Sequence, residues 1–487
     1  MSAIIKIFEL LFSALSDGMN YILESVELLM KDDHRYKAQF VASGTLLSSG
    51  NKGFCLTGTA NLSVKNSFQN ALIVASTGMG KTSVALIPSL YTMDSSRVVH
   101  DPSGELFSKT GGFLAQRGYV VKTLNFAVPS RSSGFNPLQR ANSSSEIQKL
   151  SALLVENALG KNSKDPFWQT QAISMLTIFI SILKKQEKEY HNFYNLRQLL
   201  SQFGGNQKAV ELLFCRYADT DAVLWAEFKA FLAYDDKVVS GVTATAKAAL
   251  QIFADENVAK VTSTDSIDFA DFRKRKTVLF IQNSVADQRY YSVLTSIFFE
   301  QFFAYIMSRF PEKQEQDIFF LIDEMSSLRF PTLSLSVANC RKHSAGLLLV
   351  VQDFNQLIST YGREDAQAIK SNCFARMYFS GVGVETAIEL EKILGKFEFS
   401  DKENKKNVRS LMTADEIRIM PEDRAIVICG HHPPIKAQLL PYYKNWRMNA
   451  KSKIPPPEIQ SEIPPGEIPI LPLPVPKKEE NKGKKHQ

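Results

Sequence analysis

The sequence predicts an α/β fold in which a mainly parallel sheet is interrupted by an inserted all-helical domain. Three observations carry this. Short apolar runs recur and end in polar or glycine-rich turns, as strands buried on both faces do. Helical patterns follow most of these runs, which implies right-handed crossovers between parallel strands. From about residue 141 to 270 the alternation stops and only helical patterns remain.

In chain order, the first strand is Ala71-Leu72-Ile73-Val74, running into Ala75-Ser76-Thr77-Gly78-Met79-Gly80-Lys81-Thr82. This is the pattern of a phosphate-binding loop between a strand and a helix. Its backbone N–H groups (Ser76 to Thr82) wrap phosphates, Lys81 reaches the β- and γ-phosphates of ATP, and the Thr82 hydroxyl holds Mg²⁺. The positive end of the following helix faces the same anion. Ala75 stands where the pattern has glycine, which is tolerable at negative φ and costly at positive φ. Arg97 to Asp101 is a short strand ending at Pro102-Ser103-Gly104-Glu105.

The helical stretch follows. Asp165-Pro166 is a cap and first-turn signal, and Phe167, Trp168, Ile173, Leu176, Phe179, Ile180 and Leu183 form one apolar face. Tyr194 to Phe203 forms another, with Gly204-Gly205 as its stop. Lys276 to Asn283 returns to strand and is followed by a long helix through Arg309. Ile318-Phe319-Phe320-Leu321-Ile322 then ends in Asp323-Glu324, a buried strand with two carboxylates at the sheet edge where ligands bind. Asp323 is placed to hold Mg²⁺ through water, and Glu324 to orient and deprotonate an attacking water. Leu347 to Gln352 and Ala375 to Ser380 are further strands, and Arg424 to Gly430 with Lys436 to Tyr443 form a last pair.

Composition is that of an ordinary globular protein: 487 residues, 44% hydrophobic and 22% charged. A net charge of +7 permits a nucleic-acid partner without demanding one. The five cysteines form no CxxC pair, which argues for a reducing compartment and against a metal site. His431-His432 reads as a loop contact. No run of about 20 apolar residues occurs, so no transmembrane helix is expected. Residues 1–34 carry a helical stripe from Ile4 to Leu29 interrupted by Lys6, Glu9, Asp17 and Glu24. That stripe suits a helix lying on a membrane or a membrane partner, and equally one packed on its own domain. Residues 451–487 are proline-rich, then basic, and are expected to be extended or disordered, as a partner-binding tail or a linker. The nucleotide-binding domain is thus expected in two parts, 35–140 and 271–450, around the helical insertion at 141–270.

Several segments carry a resemblance. They are the phosphate loop, Ile87-Pro88, Val98-Val99-His100-Asp101-Pro102-Ser103-Gly104-Glu105-Leu106 and Ser133-Gly134-Phe135-Asn136-Pro137-Leu138. Asp165-Pro166-Phe167-Trp168, Gln356-Leu357, Tyr361-Gly362, Leu411 to Ile417, Pro433-Pro434-Ile435 and Tyr442-Tyr443 join them. In this order the chain, from about Asn51 to Arg447, resembles the coupling-protein ATPases of type IV secretion and conjugation, the TraG/TraD class. It departs from them at Ser103, where lysine is usual, and in lacking their N-terminal membrane helices. The resemblance implies a RecA-like P-loop NTPase fold and a hexameric ring that pumps single- or double-stranded DNA, irrespective of sequence, with a relaxase, into a secretion channel. It places the protein in the bacterial cytoplasm, at the inner membrane through another protein or the N-terminal helix. It also implies that Gln352 senses the γ-phosphate and that Arg341 reaches the neighbouring subunit's nucleotide, with Arg376 a second candidate. Other readings are a ring translocase for chromosome segregation or phage defence, an ATPase that exports proteins or assembles the channel, and a nucleotide-binding adaptor that does not hydrolyse.

Overall fold

The structure, a computed structural model, describes residues 36–159, 166–283, 285–400 and 406–475. The amphipathic helix expected over residues 1–34 and the basic end of the tail lie outside them. The described strands are β1 (Ala71–Val74), β2 (Ser96–His100), β3 (Val120–Leu124), β4 (Thr277–Ile281), β5 (Ile318–Ile322), β6 (Ala345–Val351), β7 (Ala375–Phe379), β8 (Lys396–Ser400), β9 (Lys406–Ser410), β10 (Arg424–Cys429) and β11 (Ile435–Gln438). Nine form one sheet in the order β11-β10-β7-β1-β6-β5-β2-β4-β3. The strands from β7 to β3 in that order run parallel, while β10 and β11 are antiparallel at one edge.

The parallel strands read as continuous apolar runs because both faces are covered. Along β1, Leu72 and Val74 join one core, and Ala71 and Ile73 the other. The first core continues into the inserted helices, so sheet and insertion share one apolar interior. Every described element between Ser144 and Lys274 is helical. At the centre of the insertion Phe214 and Phe228 stack at 3.9 Å, with Phe179 edge-on to Phe214 at 5.6 Å.

Four details differ from the sequence reading. The Phe193–Gly205 helix runs through Gly204-Gly205 and ends only where Asn206 turns to φ −142; neither glycine takes the positive φ that stops a helix. Phe167 lies off the apolar face, 41% exposed. The helix Pro166–Lys184 has the length and composition of a membrane span, yet Met175, Leu176, Phe179, Ile180 and Leu183 are buried in the core. The tail is extended, as its prolines demand, but up to Val475 it is docked rather than disordered: Glu462 pairs with Lys122 at 2.5 Å and Leu471 and Leu473 pack on the main core. Composition showed that this segment lacks a core of its own; it borrows another's.

Candidate nucleotide-binding site

The site is built at the C-terminal tips of β1, β5 and β6, which lie side by side in the order β1-β6-β5. After Val74 the chain stays tied to the sheet: Ala75 N donates to Val351 O at 3.1 Å. Ser76 Oγ donates to Gly381 O, also at 3.1 Å, beyond the tip of β7. Gly78 (φ +84) and Gly80 (φ +82) then turn the backbone through the left-handed region. A Cβ at Gly78 would meet nothing within 4 Å, so conformation alone requires glycine there. Positive φ among the described non-glycine residues is confined to Asn70, Glu324 and Ser344, so Ala75 replaces glycine without strain.

Lys81 leads into a π-helical turn, Thr82–Leu86, followed by the helix Ile87–Thr92. Pro88 explains the turn, because it lacks an N–H and its ring collides with the carbonyl four residues back. Lys81 is 8% exposed, and its Nζ is buried with no hydrogen-bond partner. An unmatched buried ammonium is costly, and it marks a place where an anion completes the structure.

The acids face it from β5. Thr82 Oγ1 stands 3.5 Å from Asp323 Oδ2, the long limit of a hydrogen bond, so both oxygens keep capacity for a shared hard cation. Burial pushes the Asp323 carboxyl up to about 6 against the pull of Lys81, with Glu324 adding to the rise. Glu324 takes a left-handed conformation, φ 52 and ψ 44. Such a conformation is strained for glutamate and is held in place by its surroundings. Its carbonyl accepts from Ser327 Oγ at 2.8 Å, and its N–H donates to Asp323 Oδ1 at 3.0 Å. Below the acids, His100 at the tip of β2 is fully buried and contacts Asp323 O through Nδ1 at 2.6 Å. Because the partner is a carbonyl, Nδ1 carries the proton. Burial lowers His100 to about 4, so the ring is neutral. Asp101 receives Leu106 N at 3.1 Å and Phe107 N at 2.8 Å, starting the helix Glu105–Gln116.

Lys81, Thr82, Asp323, Glu324 and Gln352 therefore lie at one edge of the sheet; Gln352 directly follows β6, the strand between β1 and β5. Arg341 and Arg376 do not join them. Arg341 precedes β6 at the opposite sheet edge, donating to Gln69 Oε1 at 3.2 Å. β6 itself spans roughly 23 Å, so Arg341 cannot reach the site of its own subunit. Arg376, the second residue of β7, lies at that same edge, and its Nε is buried without a partner. The support that His100 lends Asp323 was not legible in sequence, since the two are 223 positions apart.

A family model described as type IV secretory system conjugative DNA transfer matches residues 30–463. The chain belongs to this family. Among curated relatives of this conjugative transfer family, it is 22% identical over 402 residues to Protein VirD4 of Agrobacterium fabrum, covering 77% of this chain and 59% of the relative. It is 22% identical over 458 residues to the conjugal transfer protein TraG of Escherichia coli, covering 81% of this chain and 70% of that one. The chain thus spans about three fifths of the length of VirD4. Among solved structures it resembles the conjugative coupling protein TrwB in its ΔN70 form with sulphate (TM-score 0.67, 19% identity, 83% of this chain and 94% of that one). TrwB with ADP and Mg²⁺ superposes similarly (TM-score 0.66, 19% identity, 83% and 95%). The shared architecture is the RecA-like P-loop fold.

Proposed function

We propose that this chain is an ATP-hydrolysing motor that moves DNA, with its relaxase, into a type IV secretion channel, working as a hexameric ring at the cytoplasmic side of the inner membrane. The observation that carries the nucleotide reading is the buried, unpartnered Nζ of Lys81 inside a glycine-turned loop, opposite the Thr82–Asp323 oxygen pair. Family membership and the nucleotide complexes of TrwB, with ADP and Mg²⁺, GDPNP and ADPNP, support it.

In this reading the loop Ser76, Thr77, Gly78, Met79, Gly80, Lys81 and Thr82 binds the phosphates. Lys81 neutralises them, Thr82 and Asp323 hold Mg²⁺, and Gln352 senses the terminal phosphate between them. When bound, ATP with Mg²⁺ supplies the phosphoanhydride whose cleavage drives the motor. Glu324 orients the attacking water and takes its proton. Its left-handed backbone fixes where the carboxylate starts, and the Ser327 contacts hold that backbone. His100, supporting the Asp323 carbonyl from below, positions the acid pair without touching substrate. Arg341, out of reach of its own site, acts on the neighbouring subunit's nucleotide, with Arg376 the alternative.

Measuring nucleotide affinity and turnover separately tests the assignment. Lys81→Ala loses binding and turnover together. Glu324→Gln keeps ATP affinity within about threefold and loses on the order of 10²–10⁴ in rate, the usual worth of a general base. A Glu324→Gln protein that turns over at the normal rate removes this residue from the chemistry.

A further inference from the structure

Around residue 470 the docked tail is held to the inserted domain by the side-chain amide of Asn195, in the Phe193–Gly205 helix. Asn195 is 1% exposed. Its Nδ2 donates to Pro469 O at 2.8 Å, and its Oδ1 accepts from Leu471 N at 2.8 Å. One amide thus engages the carbonyl and the N–H that flank residue 470, as a strand neighbour would in a sheet. Contacts of this kind read peptide backbone and fix its register. The amide is also set in advance, since Asn195 Nδ2 donates to Asn192 Oδ1 at 3.1 Å, and Asn192 caps the same helix.

The occupant matches this demand. Pro469, Pro472 and Pro474 hold the segment extended, while Leu471, whose N–H the asparagine needs, is not proline. Leu471 and Leu473 pack on the core, whereas Ile470 is 61% and Val475 86% exposed. A cavity of about 280 Å³ remains along Gln198, Leu199 and Gln202 beside the segment, so the groove is larger than what fills it. The tail is tethered upstream, where Ser461 Oγ donates to Pro129 O at 2.9 Å and Ser266 Oγ to Glu462 at 2.6 Å. A tethered segment needs few contacts to occupy a groove, because its effective concentration is on the order of millimolar.

We propose that this groove is a receptor site for an extended aliphatic–proline peptide, filled here in cis by residues 469–475 and open to the same kind of peptide in trans when the tail leaves. This assignment stands independently of the nucleotide site.

The test uses the full chain carrying Leu471→Asp and Leu473→Asp, which removes the tail from the groove but keeps its tether. The probe is a fluorescent peptide of residues 466–475, followed by anisotropy. A second chain, Leu471→Pro, deletes the N–H that Asn195 accepts together with the Leu471 side chain, introduces no charge, and guards against misfolding of the first. The peptide is expected to bind both variant chains at least tenfold more tightly than the unsubstituted chain. A peptide N-methylated at Leu471 is expected to bind them at least tenfold more weakly than the plain one. Absence of binding to both variants, equal binding to substituted and unsubstituted chains, or indifference to the N-methyl group would each overturn the proposal.

Discussion

Replacing Lys81 by methionine separates what this lysine does for the fold from what it does for the ligand. In the free chain its Nζ is buried without a partner. A polar group left in that state costs about 1–3 kcal/mol. Methionine has nearly the same length and no polar head, so it relieves that cost. An opposing effect is the lost attraction between Lys81 and Asp323. That loss is limited, because the Asp323 carboxyl already sits at about 6 and can take up a proton. The free Lys81→Met chain is therefore expected to be as stable as the unsubstituted one or more stable, by up to about 2 kcal/mol. The ligand effect is larger and opposite in sign: at a hundredfold excess over Kd, ATP adds about 2.7 kcal/mol to the unsubstituted chain and nothing to the variant. Thermal unfolding with and without Mg²⁺-ATP reads both, at roughly 2 °C per kcal/mol for a chain of this size. The reasoning fails if Lys81→Met lowers the midpoint of the free chain by several degrees, or if the variant keeps the nucleotide-dependent rise.

Other outcomes follow from the same geometry. Arg341→Ala subunits mixed with Lys81→Ala subunits should recover part of the ATPase activity each lacks alone; no recovery in verified mixed rings would exclude a trans role for Arg341. Burial holds Asp101 at about 6 against an ordinary 3.8, so the folded state binds its proton more tightly than the unfolded state and loses stability as pH rises between these values. Relative to the unsubstituted chain, Asp101→Asn should therefore gain up to roughly 3 kcal/mol between pH 4 and pH 7; a flat difference in denaturant unfolding would contradict the assignment. Burial raises Cys55, Cys340, Cys373 and Cys429 to about 12, while Cys215 is exposed. A thiol reagent at pH 8 should modify Cys215 alone in the folded chain and all five cysteines after unfolding.

The strands that build the site were legible because each is a short apolar run with a chemical signature at its tip: Val74 before the loop, Ile322 before Asp323, Val351 before Gln352. β3 was not, since Val120, Val121 and Lys122 are only half-buried at the sheet edge and carry no clear alternation. The β8–β9 hairpin was missed for a similar reason, its described β9 residues being mostly exposed. Tertiary contacts hid the rest. The neutral His100 beneath Asp323 and the left-handed Glu324 depend on neighbours supplied by other strands. The tail shows the same limit: proline content predicted its extended backbone, but nothing local revealed that Asn195 holds it.

The most direct test of the motor reading is the steady-state rate of ATP hydrolysis by the full chain with and without DNA, beside Glu324→Gln under the same conditions. The account predicts turnover that rises on adding single- or double-stranded DNA of arbitrary sequence, falls steeply with salt as phosphate contacts are screened, and disappears in Glu324→Gln while ATP binding persists. Hydrolysis indifferent to DNA at low salt, or ATP binding without hydrolysis by the unsubstituted chain, would contradict it.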